Sequence, residues 1–330
     1  MSERILITGA SGFIGYHLIK AAQRDGLEVH AAVRATSKLS QLDSLAPKYI
    51  YPDFRSKNAL VKILEEGQYD YIVHAAGATK AKDENEYNTI NADYTRNLAS
   101  AAAESDIPLK KFVFLSSLAA IGPSEYHDHR LFKEDRRPNP VTAYGKSKLL
   151  AEQYLKQISL PKAVLRPTAV YGPGEKDLFI VFKMLQDGFD AYIGNNPQRF
   201  SFVYVQDLVS ATLLALKSAD KEEHTYNISD GNVYNRYELA DTFKELTGKK
   251  PLRFHIPEGI VKAVANILEL AYSNSRNMPV LNKEKLNELT APNWACSIEA
   301  AKNDLKYRPA YNLKTGLAES MPWYTDKEWL

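Results

Sequence analysis

The sequence predicts an α/β fold, a doubly wound parallel sheet followed by a smaller, mostly helical C-terminal lobe. Three observations carry this expectation. Short apolar runs of strand length alternate with amphipathic helical stretches through the first half of the chain, and small residues punctuate the strand ends. From about residue 250 the text reads as helices with short loops. A chain of 330 residues is long enough for a large core and a second unit. The expected division assigns 1–171 to the sheet domain, with 199–230 returning to it, and 172–198 with 231–330 mainly to the lobe.

Residues 5–8 form a charge-free apolar run that reads as a buried strand. Gly9, Gly12 and Gly15 follow at three-residue spacing, and Phe13, Ile14, Leu18 and Ile19 open a helical apolar pattern. Glycine admits positive φ, and its missing side chain lets a pyrophosphate approach backbone N–H groups at a helix N-terminus. Ala10 and Ser11 keep that approach open. Between a strand and a helix, the pattern points to dinucleotide binding by Gly9, Ser11, Gly12, Phe13, Ile14 and Gly15.

A second strand is expected at 27–33. An acid at its end would bind the adenosine ribose of NAD. This chain instead has Arg34, Ser37 and Lys38, which reads as recognition of the 2′-phosphate of NADP, with NAD as the alternative. A third strand at 49–51 leads into Pro52, Asp53 and Phe54, where Asp53 either meets the adenine amino group or caps the next helix. The fourth strand, 69–74, ends in His74 and the small residues Ala75, Ala76 and Gly77, a place for a cofactor to lie against backbone. His74 itself reads as a packed strand-end histidine.

A long helix is expected over 83–104, carrying Asn91 and Asn97. The fifth strand, 112–115, runs into Ser116 and Ser117. Residues 122–142 make a Pro- and charge-rich loop able to cover a site. His127 and His129 flank Asp128 there, but no further ligand set accompanies them, so no metal site is expected. A helix over 141–158 and a strand at 162–166 come next. Pro167 to Gly174 mark where the chain leaves the sheet, and 202–205 with Asp207 read as a return to the core.

Tyr144 and Lys148 are four apart on the predicted helix and so share one face. An ammonium beside a phenol favours the phenolate and moves a tyrosine from its ordinary pKa of about 10 toward a useful acid/base range. Tyr16 and Lys20 have the same spacing, so context decides. Tyr144 lies 27 positions after Ser117, on the helix beyond the fifth strand. Ser117 can then hydrogen-bond a substrate oxygen while Tyr144 exchanges its proton. Further on, 256–272 carries apolar residues at 260, 261, 264, 267, 268 and 271. An apolar pocket lining or a membrane contact would suit this stripe, but packing on the lobe's own core is the expectation.

Composition excludes several classes. A net charge of +2 gives no general attraction to nucleic acid or membranes. Cys296 is the single cysteine, which rules out an intrachain disulfide and a cysteine-based zinc site. No apolar segment approaches the roughly 20 residues of a membrane helix, and 1–15 lack a signal-peptide layout. A cytoplasmic protein with a small-molecule substrate is expected.

Taken jointly, TGASGFIG (8–15), HAAG (74–77), FLSS (114–117), YGKSK (144–148) and RPTAVYGPG (166–174) resemble the extended short-chain dehydrogenase/reductase family, in order across about half the chain. The resemblance implies a Rossmann-like domain with a C-terminal substrate lobe. It implies a catalytic Ser117/Tyr144/Lys148 set, with Asn91 as the helix asparagine near cofactor and active site. Cofactor contacts from Asp53, Phe54, Ala75, Ala76, Gly77, Ser116, Pro167, Ala169 and Val170, and a substrate contact from Tyr171, belong to the same reading. So does a homodimer formed through the helices at 83–104 and 141–158.

Within the family, sugar 4,6-dehydratases carry Asp-Glu after the catalytic hydroxyl, where this chain has Leu118-Ala119. Nucleotide-sugar epimerases usually have Asn where Ala169 stands. The RPTAVYGPG form, with Trp294-Ala295-Cys296-Ser297 and Trp323-Tyr324, is similar to 3β-hydroxysteroid dehydrogenase and dihydroflavonol reductase-like proteins. The expected function is an NADP-dependent reductase or dehydrogenase acting on a secondary alcohol/ketone or aldehyde, a hydrophobic substrate being one option. A nucleotide-sugar epimerase is the first alternative. A non-catalytic NADP-binding regulator is the second, and intact Tyr144 and Lys148 count against it.

Overall fold

The computed structural model describes residues 2–127, 130–220, 223–272 and 282–329. In chain order β1 (Arg4–Thr8), β2 (Glu28–Ala32), β3 (Lys48–Ile50), β4 (Tyr71–His74), β5 (Lys111–Leu115) and β6 (Lys162–Pro167) alternate with α1 (Phe13–Arg24), α2 (Lys57–Gly67), the pair α3 (Glu84–Asn88) and α4 (Tyr94–Glu104), and α5 (Ala143–Lys156). The chain then runs through β7 (Ala169–Tyr171), α6 (Asp177–Gln186), β8 (Phe189–Ile193), β9 (Arg199–Phe200), β10 (Phe202–Tyr204) and α7 (Val205–Lys217) into β11 (His224–Ile228). It ends with β12 (Tyr234–Asn235), α8 (Glu238–Thr247), β13 (Leu252–Ile256), α9 (Glu258–Tyr272), α10 (Lys283–Thr290), α11 (Glu299–Asp304) and α12 (Leu313–Asp326).

The main sheet is parallel, with strand order β11-β6-β5-β4-β1-β2-β3. Its order reverses beside β1, which opens a crevice beyond the C-terminal ends of β1 and β4. Open α/β sheets bind ligands at such a point. Side-chain alternation explains the two covered faces. Ile5 and Ile7 pack with Leu18, Val29 and Leu208, whereas Leu6 between them packs with Leu64, Leu98 and Phe112 on the other side. A further apolar cluster of Tyr171, Phe182, Tyr204, Phe243, Leu317 and Tyr324 lies away from these two.

Several expectations are corrected. The helix over 83–104 is interrupted, because Thr89–Asp93 makes a π turn between α3 and α4. The strand at 202–204 pairs with β7 rather than joining the main sheet, and β11 is the strand that does join it. The text after 250 is not all helical, since β13 pairs with β8 in parallel. On α9, Val261 and Ala265 are buried, but Ile260, Val264 and Ile267 are exposed, so half of the apolar stripe has no core to pack on. The 122–142 loop is tied down by bridges from Ser124 to Asn293 and from Phe132 to Cys296.

Candidate active site

The turn after β1 requires glycine twice over. Gly9 has φ +68°, and a Cβ there would lie 2.7 Å from the Ala75 carbonyl carbon. The loop after β1 is thus pressed directly onto the loop after β4. Gly15 does the same for the helix, where a Cβ would stand 2.2 Å from the Gly9 oxygen. Gly12 donates its N–H to the Gly9 carbonyl at 2.9 Å and caps α1 without a side-chain hydrogen bond. The first amides of α1 therefore have no side-chain oxygen in their way, as phosphate binding needs.

At the end of β2, Arg34 and Ser37 form a tight turn. The Arg34 N–H donates to Ser37 Oγ at 3.1 Å, and the Ser37 N–H donates to the Arg34 carbonyl at 2.9 Å. The Arg34 and Lys38 side chains stand exposed on this turn. Asp53 is also exposed, and one carboxylate oxygen accepts from the Arg55 N–H at 3.0 Å. It does not cap α2. Ser56 does, accepting from the Ala59 N–H at 3.3 Å. Phe54 stacks on Tyr94 with ring centroids 5.9 Å apart.

His74 is fully buried, and its partners fix its tautomer. Thr95 Oγ1 donates to the Asn91 carbonyl at 2.7 Å, so it accepts from His74 Nε2–H at 2.9 Å. Thr8 Oγ1 accepts from the Ala76 N–H at 3.0 Å and donates to His74 Nδ1 at 2.7 Å. Burial and the nearby Lys148 charge push the imidazole down to about 3, so it stays neutral. The packed, non-catalytic role expected for His74 matches this geometry.

Asn91 lies in the π turn and clamps the loop after β4 to α5. Its Oδ1 accepts from the Ala78 N–H at 2.7 Å, and its Nδ2 donates to the Ala78 carbonyl at 3.0 Å and to Ser147 Oγ at 2.9 Å. Its amide thus holds the Ala78 backbone and the Ser147 hydroxyl together. A Cβ on Gly77 would lie 3.1 Å from Asn91 Oδ1 and 3.2 Å from Lys148 Nζ. Glycine at 77 brings the main chain up against the lysine.

Ser117, Tyr144 and Lys148 meet at the C-terminal end of β5. Ser117 Oγ accepts from the Ala119 N–H at 3.1 Å and lies close enough to the Tyr144 phenol to favour its ionised form. Thr142 caps α5, accepting from the Gly145 N–H at 3.0 Å, and so places Tyr144 in the first turn. Lys148 is buried, donates to the Leu115 carbonyl at 2.8 Å and lies 4.8 Å from the Phe114 ring centre. Burial holds it down to about 8, opposed by the Glu152 charge. In the free protein the Tyr144 phenol is not shifted toward its phenolate. Burial pushes the phenol up to about 12, outweighing the lowering effect of nearby Ser117, and the lysine donates to the Leu115 carbonyl.

A buried ion pair behind this set escaped the sequence reading. Arg166 Nε and Nη2 donate to Glu152 at 2.9 and 2.6 Å, and Ser116 Oγ donates to the same carboxylate. The Ser116 hydroxyl is therefore taken by Glu152, and its N–H is spent on the Leu165 carbonyl. Glu152 continues the i, i+4 series of Tyr144 and Lys148 along α5, the one signal that pointed to it. Glu284 of α10 was also missed. It accepts from the Ala143 N–H at 3.0 Å, next to Tyr144.

Tyr171 is not a substrate contact. It is fully buried, donates to the Asn312 carbonyl at 3.1 Å and packs edge-on against Phe202. Pro167 ends β6, while Ala169 is exposed and Val170 half-buried on β7. Among the described residues no group of acids, histidines and cysteine could hold a metal; Asp128 and His129 lie outside them.

The positive-φ glycine, the uncapped helix start and the side-chain-free approach at Gly77 fit a dinucleotide in the β1/β4 crevice. A family model described as the NAD dependent epimerase/dehydratase family matches residues 5–229. The chain belongs to that family. It is 26% identical over 330 residues to a ceramide reductase of Caulobacter vibrioides, covering 99% of this chain and 96% of that one. It is 24% identical over 344 residues to a 3-beta-hydroxysteroid dehydrogenase of Mycolicibacterium neoaurum, covering 98% and 92%. A UDP-glucose 4-epimerase of Thermotoga maritima, solved with UDP-glucose, shares the fold at TM-score 0.79 and 21% identity, with 98% and 99% coverage. These relatives are enzymes, and this family member is an enzyme of the extended short-chain dehydrogenase/reductase type. The non-catalytic reading is set aside. Among the described residues no helix is long and apolar enough to cross a membrane.

Proposed function

We propose that the protein is an NADP-dependent oxidoreductase that interconverts a carbonyl and an alcohol on a hydrophobic substrate. The observation that carries this reading is the placing of Tyr144 beside Ser117 and one helical turn from buried Lys148, whose Nζ lies against the side-chain-free backbone of Gly77. The exposed Arg34 and Lys38 turn supports the NADP preference. The relatives' names, a ceramide reductase and a steroid dehydrogenase, support an apolar substrate.

A nicotinamide dinucleotide bound in the crevice supplies the hydride donor or acceptor. Ser117 orients the substrate oxygen through its hydroxyl. Tyr144, held as a neutral phenol in the free protein, gives its proton to that oxygen during reduction and takes it back during oxidation. Lys148 stabilises the phenolate left behind by its charge, which its pKa near 8 leaves available at neutral pH. Atoms balance in both directions: one hydride at carbon, one proton at oxygen. We further assign 1–171 with 199–230 to cofactor binding, 172–198 with 231–330 to the substrate, and pairing of two copies to the helices over 83–104 and 141–158.

The test is spectroscopic. NADPH is mixed with the protein and either a pool of hydrophobic ketones and aldehydes or a pool of nucleotide sugars. Loss of NADPH absorbance with the first pool, slower with NADH, supports the proposal. A new sugar isomer with no net NADPH change makes the protein an epimerase instead.

A further inference from the structure

α5 carries Tyr144 in its first turn, where backbone amides have no acceptor within the helix. Thr142 takes the Gly145 N–H, and no acid stands in that turn. The Ala143 N–H is met from outside. Glu284 of α10 brings both carboxylate oxygens to it, at 3.0 and 3.1 Å, across 141 residues of sequence. Ala143 is buried, so removing Glu284 would strip this amide of its acceptor away from bulk water.

Two further observations set Glu284 apart from an ordinary surface acid. Nearby acids pair with lysines, Glu84 with Lys146 at 3.5 Å and Glu288 with Lys285 at 3.0 Å, whereas Glu284 has no ion-pair partner among the described residues. Its charge lies instead at the positive ends of two helices, α5 and α10 itself, whose first turn it occupies behind the Asn282 cap. α10 is also held at its far end. Gln198 Nε2 donates to the Leu289 and Ala291 carbonyls at 2.8 and 2.9 Å, and Trp294 Nε1 donates to the Glu288 carbonyl at 3.2 Å. The helix is therefore a strut that runs from the segment before β9 to the first turn of α5.

We propose that Glu284 is a positioning residue for the reaction, acting through Tyr144. Helix ends fray, and a side chain in the first turn is only as well placed as the amides that anchor it. Lys148 stands a full turn further in and is fixed separately through the Leu115 carbonyl. Glu284 thus bears on the phenol and not on the lysine or the bound dinucleotide. This role rests on the proton transfer assigned to Tyr144 above. Gln198 carries the same hold back to the 172–198 span assigned to the substrate, which ties the seating of the phenol to that side of the molecule.

Glu284→Ala, Glu284→Gln, Tyr144→Phe and the Glu284→Ala/Tyr144→Phe double variant of the full-length protein are compared. Amide hydrogen exchange reads the first turn of α5, and NADPH oxidation with the pool of hydrophobic ketones and aldehydes reads turnover. In Glu284→Ala the amides of 143–145 should exchange roughly five-fold faster, the worth of a lost cap. Its turnover should fall about 10- to 100-fold, as a displaced reacting group causes, while NADPH binding and circular dichroism match the parent. Glu284→Gln keeps an acceptor for Ala143 and loses only the charge at the helix start, so its turnover should stay within about five-fold of the parent. In the Tyr144→Phe background Glu284→Ala should lower the residual turnover no further, because its effect passes through the phenol. Unchanged exchange at 143–145 in Glu284→Ala overturns the proposal whatever the reaction. Faster exchange with full turnover, or an equal further loss in the Tyr144→Phe background, also overturns it and leaves the assigned reaction standing. Parent-level turnover in Tyr144→Phe refutes the reaction itself, and the role of Glu284 with it.

Discussion

The Glu152–Arg166 pair offers the sharpest quantitative test of how the site is supported. Both side chains are nearly sealed, at 3% and 5% exposure, and meet through two hydrogen bonds. Glu152→Gln keeps the shape but removes the charge, leaving a buried guanidinium facing a neutral amide. Breaking a buried pair from one side costs about 3–5 kcal/mol, and since the glutamine oxygen still accepts one hydrogen bond, about 3 kcal/mol is expected. In a chain of this size that lowers the melting midpoint by roughly 4 °C. Replacing both partners with methionine should recover at least half of the loss, because no lone charge then remains buried. Urea unfolding followed by circular dichroism measures all three proteins. A loss below about 1 kcal/mol in Glu152→Gln, or a double variant no more stable than the single one, would refute the reasoning. The same substitution removes the charge that props up Lys148, so the lysine's transition should move further down in pH.

Three other outcomes follow from the geometry. Arg34→Ala should weaken NADPH binding about 10- to 100-fold, the worth of a charge-assisted contact, and leave NADH binding unchanged; equal loss for both cofactors in a titration would contradict the 2′-phosphate role. Gly9→Ala should cost at least about 1–3 kcal/mol from backbone strain at positive φ alone and abolish dinucleotide binding, since its Cβ would strike the Ala75 carbonyl; unfolding and fluorescence titration check both. Lys148 is held down to about 8 in the folded protein, so the unfolded chain binds the extra proton between that pH and the ordinary lysine range. The penalty of burying its charge is therefore present below about pH 8 and is relieved as pH rises toward 10, a gain on the order of 2 kcal/mol that Lys148→Met should erase from the pH dependence of the urea midpoint.

What the sequence made legible was local. The β1 turn could be read because strand, glycines and helix are contiguous, and the spacing from Ser117 to Tyr144 and Lys148 held because strand end and helix start share one crossover. Misreadings arose where a distant segment decides. Tyr171 sits in a motif beside the cofactor region, yet its hydroxyl is claimed by Asn312, 141 residues on. Asp53 was open to an adenine contact or a cap, but Ser56, closer to where α2 begins, takes the cap. The π turn at Asn91 leaves no mark in apolar periodicity, and it is what lets the Asn91 amide grip Ala78 and Ser147 together. Tyr144 shows the limit for electrostatics. Its i+4 lysine was visible in sequence, but burial raises the phenol, and the charge of Glu288 on distant α10 adds to that rise. The exposed half of α9 reverses the usual inference, because an apolar stripe alone does not say how much of it a core covers.

The central claim is that Tyr144 carries the proton for hydride transfer. The most direct measurement is Tyr144→Phe, assayed for NADPH-dependent carbonyl reduction and, separately, for NADPH binding by fluorescence. Loss of positioned proton transfer predicts a fall in turnover of about 10²- to 10⁴-fold with binding within a few-fold of the parent. Turnover that survives the substitution, or binding that collapses with it, would contradict the assignment.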